Sequence, residues 1–255
     1  MSPSCLFKRL STRVLCSSLM FCSISLYAEP EPSPAPGGVR EVPPFTPAMP
    51  LPVLKAAHVA QDFVPDGKLA PEKWQTAVPG RIEHDSETGK PYPALSSTVR
   101  ALWSTEFLYL GYECPYEKIT VFDPPKSEER IGLWDRDVVE AFIGTDAAKA
   151  DHYTEYEWAP NGEKLDLLLD LPKRDFGWSS GMESAVSIDD AKHVWRVEVR
   201  IPMKALASEA PKPGTRWRID LFRRDTAGKA YLAFSPTFTD TYHTPARFGW
   251  LELLP

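Results

Sequence analysis

Cysteine is scarce in this chain. Three of the four, Cys5, Cys16 and Cys22, lie near the N-terminus, and Cys114 has no companion in the rest of the sequence. Loss of the N-terminal stretch would leave no possible internal disulfide, which excludes the disulfide-stapled class of small domains. Clusters of lysine and arginine are missing too. Acidic residues outnumber basic ones, 35 to 29, for a formal net charge of −6. Binding a phosphate backbone needs clustered cations, so nucleic acid is not an expected partner. The glycine-rich phosphate loop, HExxH, CxxC and the nucleophile elbow are all absent, which removes the usual nucleotide, zinc and serine-hydrolase signatures. Long stretches of helical periodicity are also missing. No strand is followed by a helix of adequate length, so a parallel α/β fold is disfavoured.

What is present begins with a basic segment, Lys8, Arg9 and Arg13, followed by the apolar run from Val14 to Tyr27. That run suits a secretory signal but is too short to span a bilayer. Residues 1–28 are therefore expected to be a signal peptide, cleaved after Ala28 or after Ser25. A periplasmic or secreted protein with no transmembrane domain would result. Residues 29–53 are rich in proline and read as an extended linker. About 200 residues then remain, 54–255, enough for one domain with a substantial core.

Within that domain, short runs alternate with the period of a strand. Thr98–Trp103 and Phe107–Cys114 form one hairpin pattern; Tyr153–Trp158 and Lys164–Leu169 form another. Val194–Ile201, Arg216–Arg223 and Phe248–Leu254 add further strands, with turn residues between them. The expected fold class is all-β, a β-sandwich of mostly antiparallel strands. Trp103, Leu108, Leu110, Phe142, Trp195, Val197 and Trp217 are its expected interior. Arg196, Glu198 and Arg200 fall on the opposite face of their strand, which reads as a solvated or edge face.

The stretch Gly132–Ile143 carries the chemistry. In Val138–Ile143 the alternation puts Glu140 on the face of Val138 and Phe142, where an unpaired carboxylate is expensive. Trp134 and Asp137 stand just before the strand. A tryptophan beside carboxylates at a strand mouth suits gripping something polar and flat, such as a sugar ring; an internal salt bridge is the other reading. Glu155 and Glu157 supply more carboxylates on the next hairpin. Tyr242, His243 and Arg247 lie in a loop dense in Pro, Thr and Gly, and Trp178 sits in a loop between Gly, Ser and Ser. Oxygen-rich groups are compatible with a structural calcium, although no regular calcium-loop spacing is present.

Four stretches together resemble the family 9 carbohydrate-binding modules over about Leu54 to Leu254. They are Val99–Trp103 with Leu108–Leu110, Leu133–Ile143, Trp195–Pro202 and Tyr242–Gly249, in that order. The resemblance implies a β-sandwich that binds an oligosaccharide or polysaccharide chain end, or a small sugar, between two aromatic side chains. Trp134 and Tyr242 take those two positions, tyrosine standing where xylanase modules tend to carry tryptophan. Glu140 takes the position of the carboxylate that meets the sugar hydroxyls. Glu155 and Glu157 replace the amide and basic residues typical of the family. His243 and Arg247 are candidates at the rim. The resemblance also implies structural calcium, with no ligand set that can be matched residue by residue.

Three functions are open on this reading: an exported non-catalytic carbohydrate-binding domain, a glycoside hydrolase using Glu140 with Glu155 or Glu157, and an interaction scaffold that has lost the sugar. In the last, Trp178 would plug the cleft. No complete catalytic constellation is legible.

Overall fold

The alternating runs become strands in the computed structural model, which describes residues 49–255. The signal peptide and most of the linker lie outside the described residues. The strands, in chain order, are β1 (Val53–His58), β2 (Gly80–Ile82), β3 (His84–Asp85), β4 (Ser97–Trp103), β5 (Phe107–Pro115), β6 (Val138–Gly144) and β7 (His152–Trp158). They continue with β8 (Lys164–Asp170), β9 (Lys173–Asp175), β10 (Glu183–Asp189), β11 (Val194–Pro202), β12 (Arg216–Asp225), β13 (Ala230–Ala233) and β14 (Gly249–Leu253). Both α-helical segments among the described residues, α1 (Pro71–Trp74) and α2 (Met203–Leu206), are four residues long, a single turn each.

The two layers are not separate sheets. Hydrogen bonds run without a break in the order β10-β11-β5-β4-β1-β14-β12-β6-β7-β8-β9. The sheet curls over on itself, and β1 is the joint. It pairs parallel with β14 on one side and with β4 on the other, while the other strand pairs are antiparallel. Among the described residues no strand precedes Val53.

Between the layers lies the main core. Val139, Ala141 and Ile143 of β6 meet Trp195, Val197, Val199 and Ile201 of β11, Leu108 and Leu110 of β5, and Trp217, Ile219 and Leu221 of β12. Burial of this apolar area drives the closure. All seven side chains expected inside are buried. Phe142, however, belongs to a second cluster on the outer face of β6, with Tyr153, Leu165, Leu167, Leu169, Phe222 and Phe248. That outer face is covered by the loops 116–137, 171–182 and 234–248, and covering it creates the site.

One expectation is corrected on β11. Glu198 is not solvated but fully buried, its Oε1 accepting the Trp74 indole N–H at 2.7 Å and its Oε2 the backbone N–H groups of Asp66 and Gly67. It pins the segment ahead of β2 to the sheet. A sequence cannot show this, because the segment that covers the face is more than a hundred residues away.

Candidate functional site

The register of three strands sets the floor of the site. Across the outer face, Phe222 of β12 stands opposite Glu140 of β6, Glu140 opposite Glu157 of β7, and Glu157 opposite Leu165 of β8. The neighbouring row runs Asp220, Phe142, Glu155, Leu167. Glu140 and Glu157 are thus cross-strand partners, and Glu155 sits one row along. Like charges opposite one another destabilise a ladder, so this floor is not a packing solution. Glu140 is 3% exposed, Glu155 4% and Glu157 0%.

Burial sets the protonation of these groups. It pushes the Glu155 carboxyl up to about 7. It pushes Glu140 well above the usual carboxylate range, with the nearby Glu155 charge adding to the effect. Glu157 is likewise raised by burial, then by Glu140 and Glu155. Desolvation disfavours the charged form of an acid, and like charges compound it. The pairing expected of Glu140 is absent: no salt bridge reaches it among the described residues.

The walls come from the loops. At Gly132 the backbone adopts φ +88°, a left-handed conformation that glycine takes without cost. That residue opens the single turn Leu133–Asp135, which presents the half-buried Trp134. Arg224, at the end of β12, donates to the Trp134 carbonyl at 2.6 Å and to Asp135 Oδ1 at 3.3 Å. Trp134 lies 6.3 Å from Phe176 between ring centres. On the other wall Tyr242 stacks on Phe222, 4.0 Å between centroids and 7° from parallel. One face of the tyrosine is therefore committed to the protein.

His243 is set deeper. It stacks on Phe142, its Nδ1 is 2.7 Å from the Tyr153 hydroxyl, and its Nε2 is 4.0 Å from Glu155 Oε2. Burial, and then the positive Arg174, lower its pKa to about 4. The ring is neutral at pH 7, so its contact with Glu155 is not an ion pair.

Together these groups enclose a pocket of about 220 Å³. Of the candidate site residues, Trp134, Glu140, Glu155, Tyr242 and His243 line it. Arg174, Arg224, Tyr231, Asp240 and Thr241 line it as well, and sequence reasoning passed over them. Tyr231 had a signal in its exposed aromatic ring on a short strand, and it sits edge-on to Tyr242 at 6.5 Å. The two arginines had none, because nothing local distinguishes them from surface cations.

Four expected site residues lie elsewhere. Asp137 accepts the backbone N–H groups of Thr120 at 2.8 Å and Thr226 at 2.7 Å, tying two loops to the start of β6. Arg247 donates from Nε to the Pro236 carbonyl at 3.1 Å and covers the Phe238 ring, so it holds its own loop. Trp178 packs edge-on to Tyr156 at 6.3 Å against the inter-layer core, and it does not plug the pocket. Glu157 lies beneath the pocket lining, beside Glu140 and Glu155. The segment Gly177-Trp178-Ser179-Ser180-Gly181 has the bare G-x-S-x-G spacing around Ser179 but leads into β10, not a helix, so it does not form a nucleophile elbow.

The family described as carbohydrate family 9 binding domain-like matches residues 65–254. The chain belongs to that family. A curated relative, an "Extracellular protein" of Arthroderma benhamiae, is 28% identical over 186 residues, 68% of this chain and 80% of its own length. Among solved structures, a family 9 carbohydrate-binding module from Caldicellulosiruptor kristjanssonii, in complex with cellotriose, superposes with a TM-score of 0.58 at 16% identity. The superposition covers 80% of this chain and 94% of that module. A proposed carbohydrate-binding protein from Bacteroides uniformis gives 0.65 at 17% identity, covering 79% and 98%. At these identities the likeness to both is one of fold. The family's curled, all-β architecture is the one built above from strand register, and the pocket lies where loops cross its outer face.

Proposed function

We propose that this protein is an exported, non-catalytic carbohydrate-binding domain that takes a terminal sugar ring between Trp134 and Tyr242. The observation that carries the reading is the pocket itself, with two aromatic walls, a carboxylate floor and a family 9 fold around it. A pyranose has an apolar C–H face, and an aromatic plane removes that face from water at little rotamer cost. Tyr242 has one ring face available, the other being stacked on Phe222. Glu140 and Glu155 line the pocket and would hydrogen-bond sugar hydroxyls, and a carboxyl that burial keeps protonated can donate as well as accept. The pocket's volume, about 220 Å³, lies below the roughly 300–1,000 Å³ of sites for drug-sized ligands. It suits one ring at a chain end. The C. kristjanssonii module also occurs in complex with glucose.

Arrangement of the carboxylates supports binding over hydrolysis. A glycosidase needs two carboxyl groups flanking the scissile bond. Here Glu140, Glu155 and Glu157 stand side by side on neighbouring strands of one wall, their oxygens within 4.8 Å of one another. Export is supported by the basic leader with its apolar run and by the extracellular description of the fungal relative. No helix among the described residues is long and apolar enough to cross a membrane.

The test is calorimetric titration with glucose, cellobiose, cellotriose, xylobiose and a wider oligosaccharide panel. Binding of at least one, with a stoichiometry near one and loss in Trp134→Ala, is expected. A folded protein that binds none of the panel would overturn the reading.

A further inference from the structure

The pocket is a cationic spot on an acidic chain. Arg174 and Arg224 both line it, whereas the chain as a whole carries 35 acidic residues against 29 basic ones. Sheet register places Arg174. Tyr153 of β7 stands opposite Leu169 of β8, and Leu169 opposite Arg174 of β9. Arg174 therefore ends the row next to that of Glu155, on the outer face that carries the pocket. It is exposed, and among the described residues no carboxylate pairs with it and no hydrogen bond claims its guanidinium. Arg224 is committed in part: one nitrogen, Nη1, serves both the Trp134 carbonyl and Asp135.

Negative charge in the pocket does not offset these cations. The floor is made by Glu140, Glu155 and Glu157, which burial keeps protonated, and Glu155 and Glu157 hydrogen-bond one another. A protonated carboxyl carries no charge and can donate a hydrogen bond. His243 is neutral, its pKa lowered by burial. Of the lining carboxyl groups this leaves the exposed Asp240, which pairs with neither arginine among the described residues. The positive field also reaches the floor: Arg174 lowers the pKa of Glu155 and His243, and Arg224 that of Glu140 and Tyr242. A concave site with an excess of one sign concentrates ligands of the other.

We propose that the sugar this pocket takes is acidic: a terminal uronic acid whose carboxylate meets the Arg174 guanidinium at the rim while its ring lies between Trp134 and Tyr242. The inference rests on the sugar reading above and adds to it the class of sugar. A guanidinium presents paired N–H donors that match both oxygens of a carboxylate. A uronic acid carries its carboxylate in place of the hydroxymethyl group of a neutral hexose, so it fits the same volume of about 220 Å³. A sulfate ester adds a whole further group to a pocket sized for one ring. Ionised carboxylates on the floor would repel an anionic sugar; protonated ones donate to it.

The experiment is calorimetry on the purified full chain at about pH 6, below the value of about 7 to which burial lifts Glu155. The ligands are glucuronic and galacturonic acid, their short oligosaccharides, the methyl esters of each, the corresponding neutral sugars and glucose 6-sulfate. At least one uronate is expected to bind about tenfold more tightly than its own methyl ester, which keeps the shape and loses the charge. That preference should shrink as salt is raised. Arg174→Met is expected to reduce it to within about twofold, and Arg174→Lys, which keeps the charge without the fork, to fall between. Lys192→Met removes an exposed cation between β10 and β11 and should leave the preference at its wild-type value. Acid and ester bound equally well refute the acidic sugar and leave the carbohydrate-binding reading standing, as does a preference unchanged in Arg174→Met. Uronate binding unchanged in Trp134→Ala places the anion outside the pocket and refutes the inference. Glucose 6-sulfate bound more tightly than every uronate overturns the carboxylate. If no sugar binds, acidic or neutral, both readings fall.

Discussion

Replacing Tyr242 by alanine separates the work the ring does for the fold from the work it does for a ligand. Against Phe222 the ring is nearly parallel at 4.0 Å, and aromatic pairs of this kind contribute about 0.5–1.5 kcal/mol beyond area burial. With the apolar area of a half-buried ring, the fold should lose about 2 kcal/mol, which leaves most domains of 5–15 kcal/mol folded. The ligand's loss is a different quantity. One face of a pyranose covers about 50 Å² of aromatic surface, and at about 25 cal/mol per Å² the contact contributes about 1.2 kcal/mol, or about eightfold in affinity. Tyr242→Phe keeps the ring and loses only a hydroxyl 3.5 Å from the Arg223 carbonyl, a distance at which little hydrogen bonding remains. Its affinity should stay within about twofold of wild type. Urea unfolding gives the first number and calorimetry with the best-bound oligosaccharide the second. Tyr242→Ala that is folded, destabilised as expected and unchanged in sugar affinity would remove the tyrosine from the ligand contact.

Arg224→Met should release the Trp134 turn, because two hydrogen bonds to that turn disappear; sugar affinity should fall by about threefold to tenfold, and equal affinity would show that the turn holds itself. Asp137→Ala leaves the Thr120 and Thr226 N–H groups without their acceptor, an expected loss of about 3 kcal/mol in urea unfolding, with Asp137→Asn intermediate. Burial holds the Asp220 carboxyl well above the usual aspartate range, despite N–H groups from Ser235 and Leu221 and the charges of Arg247 and Arg218. The folded chain keeps this proton where the unfolded chain has lost it, so the contribution to stability is greatest below about pH 4 and declines as pH rises through the unfolded value. The stability of Asp220→Asn relative to wild type should therefore increase from pH 4 to pH 7 in denaturant titrations; a difference that is flat with pH would contradict the assignment.

Strands were legible in the sequence because their signal is local. Alternation in Val138–Ile143, Val194–Ile201 and Arg216–Arg223 needs only the period of two, and each run became a strand with the expected faces. The all-β class followed, as did burial of Trp103, Trp195 and Trp217. Trp134, Glu140, Glu155, Tyr242 and His243 came together in one pocket, and for Glu140 the sign was a carboxylate on an apolar face. What the other face of a strand meets is not local. Glu198 looked solvated and is buried under a segment that returns from residues 66–74. Trp178 and Arg247 looked ready for a ligand and are absorbed by Tyr156 and by the carbonyl of Pro236.

The sequence by itself determined the strand segments, their inward residues and the presence of carboxylates and aromatics near Gly132–Ile143, since each depends on neighbours within a few positions. Tertiary structure alone decided that β1 joins two layers into one curled sheet, because parallel pairing on both its sides depends on strands about 45 and 200 residues away. It also decided that Glu140 faces Glu157 across a ladder. A shift of one residue in that register would have sent Glu155 and Glu157 to the other face of the sheet. Register is fixed by packing of the whole outer face, from Phe222 to Leu165, and no single strand contains that information.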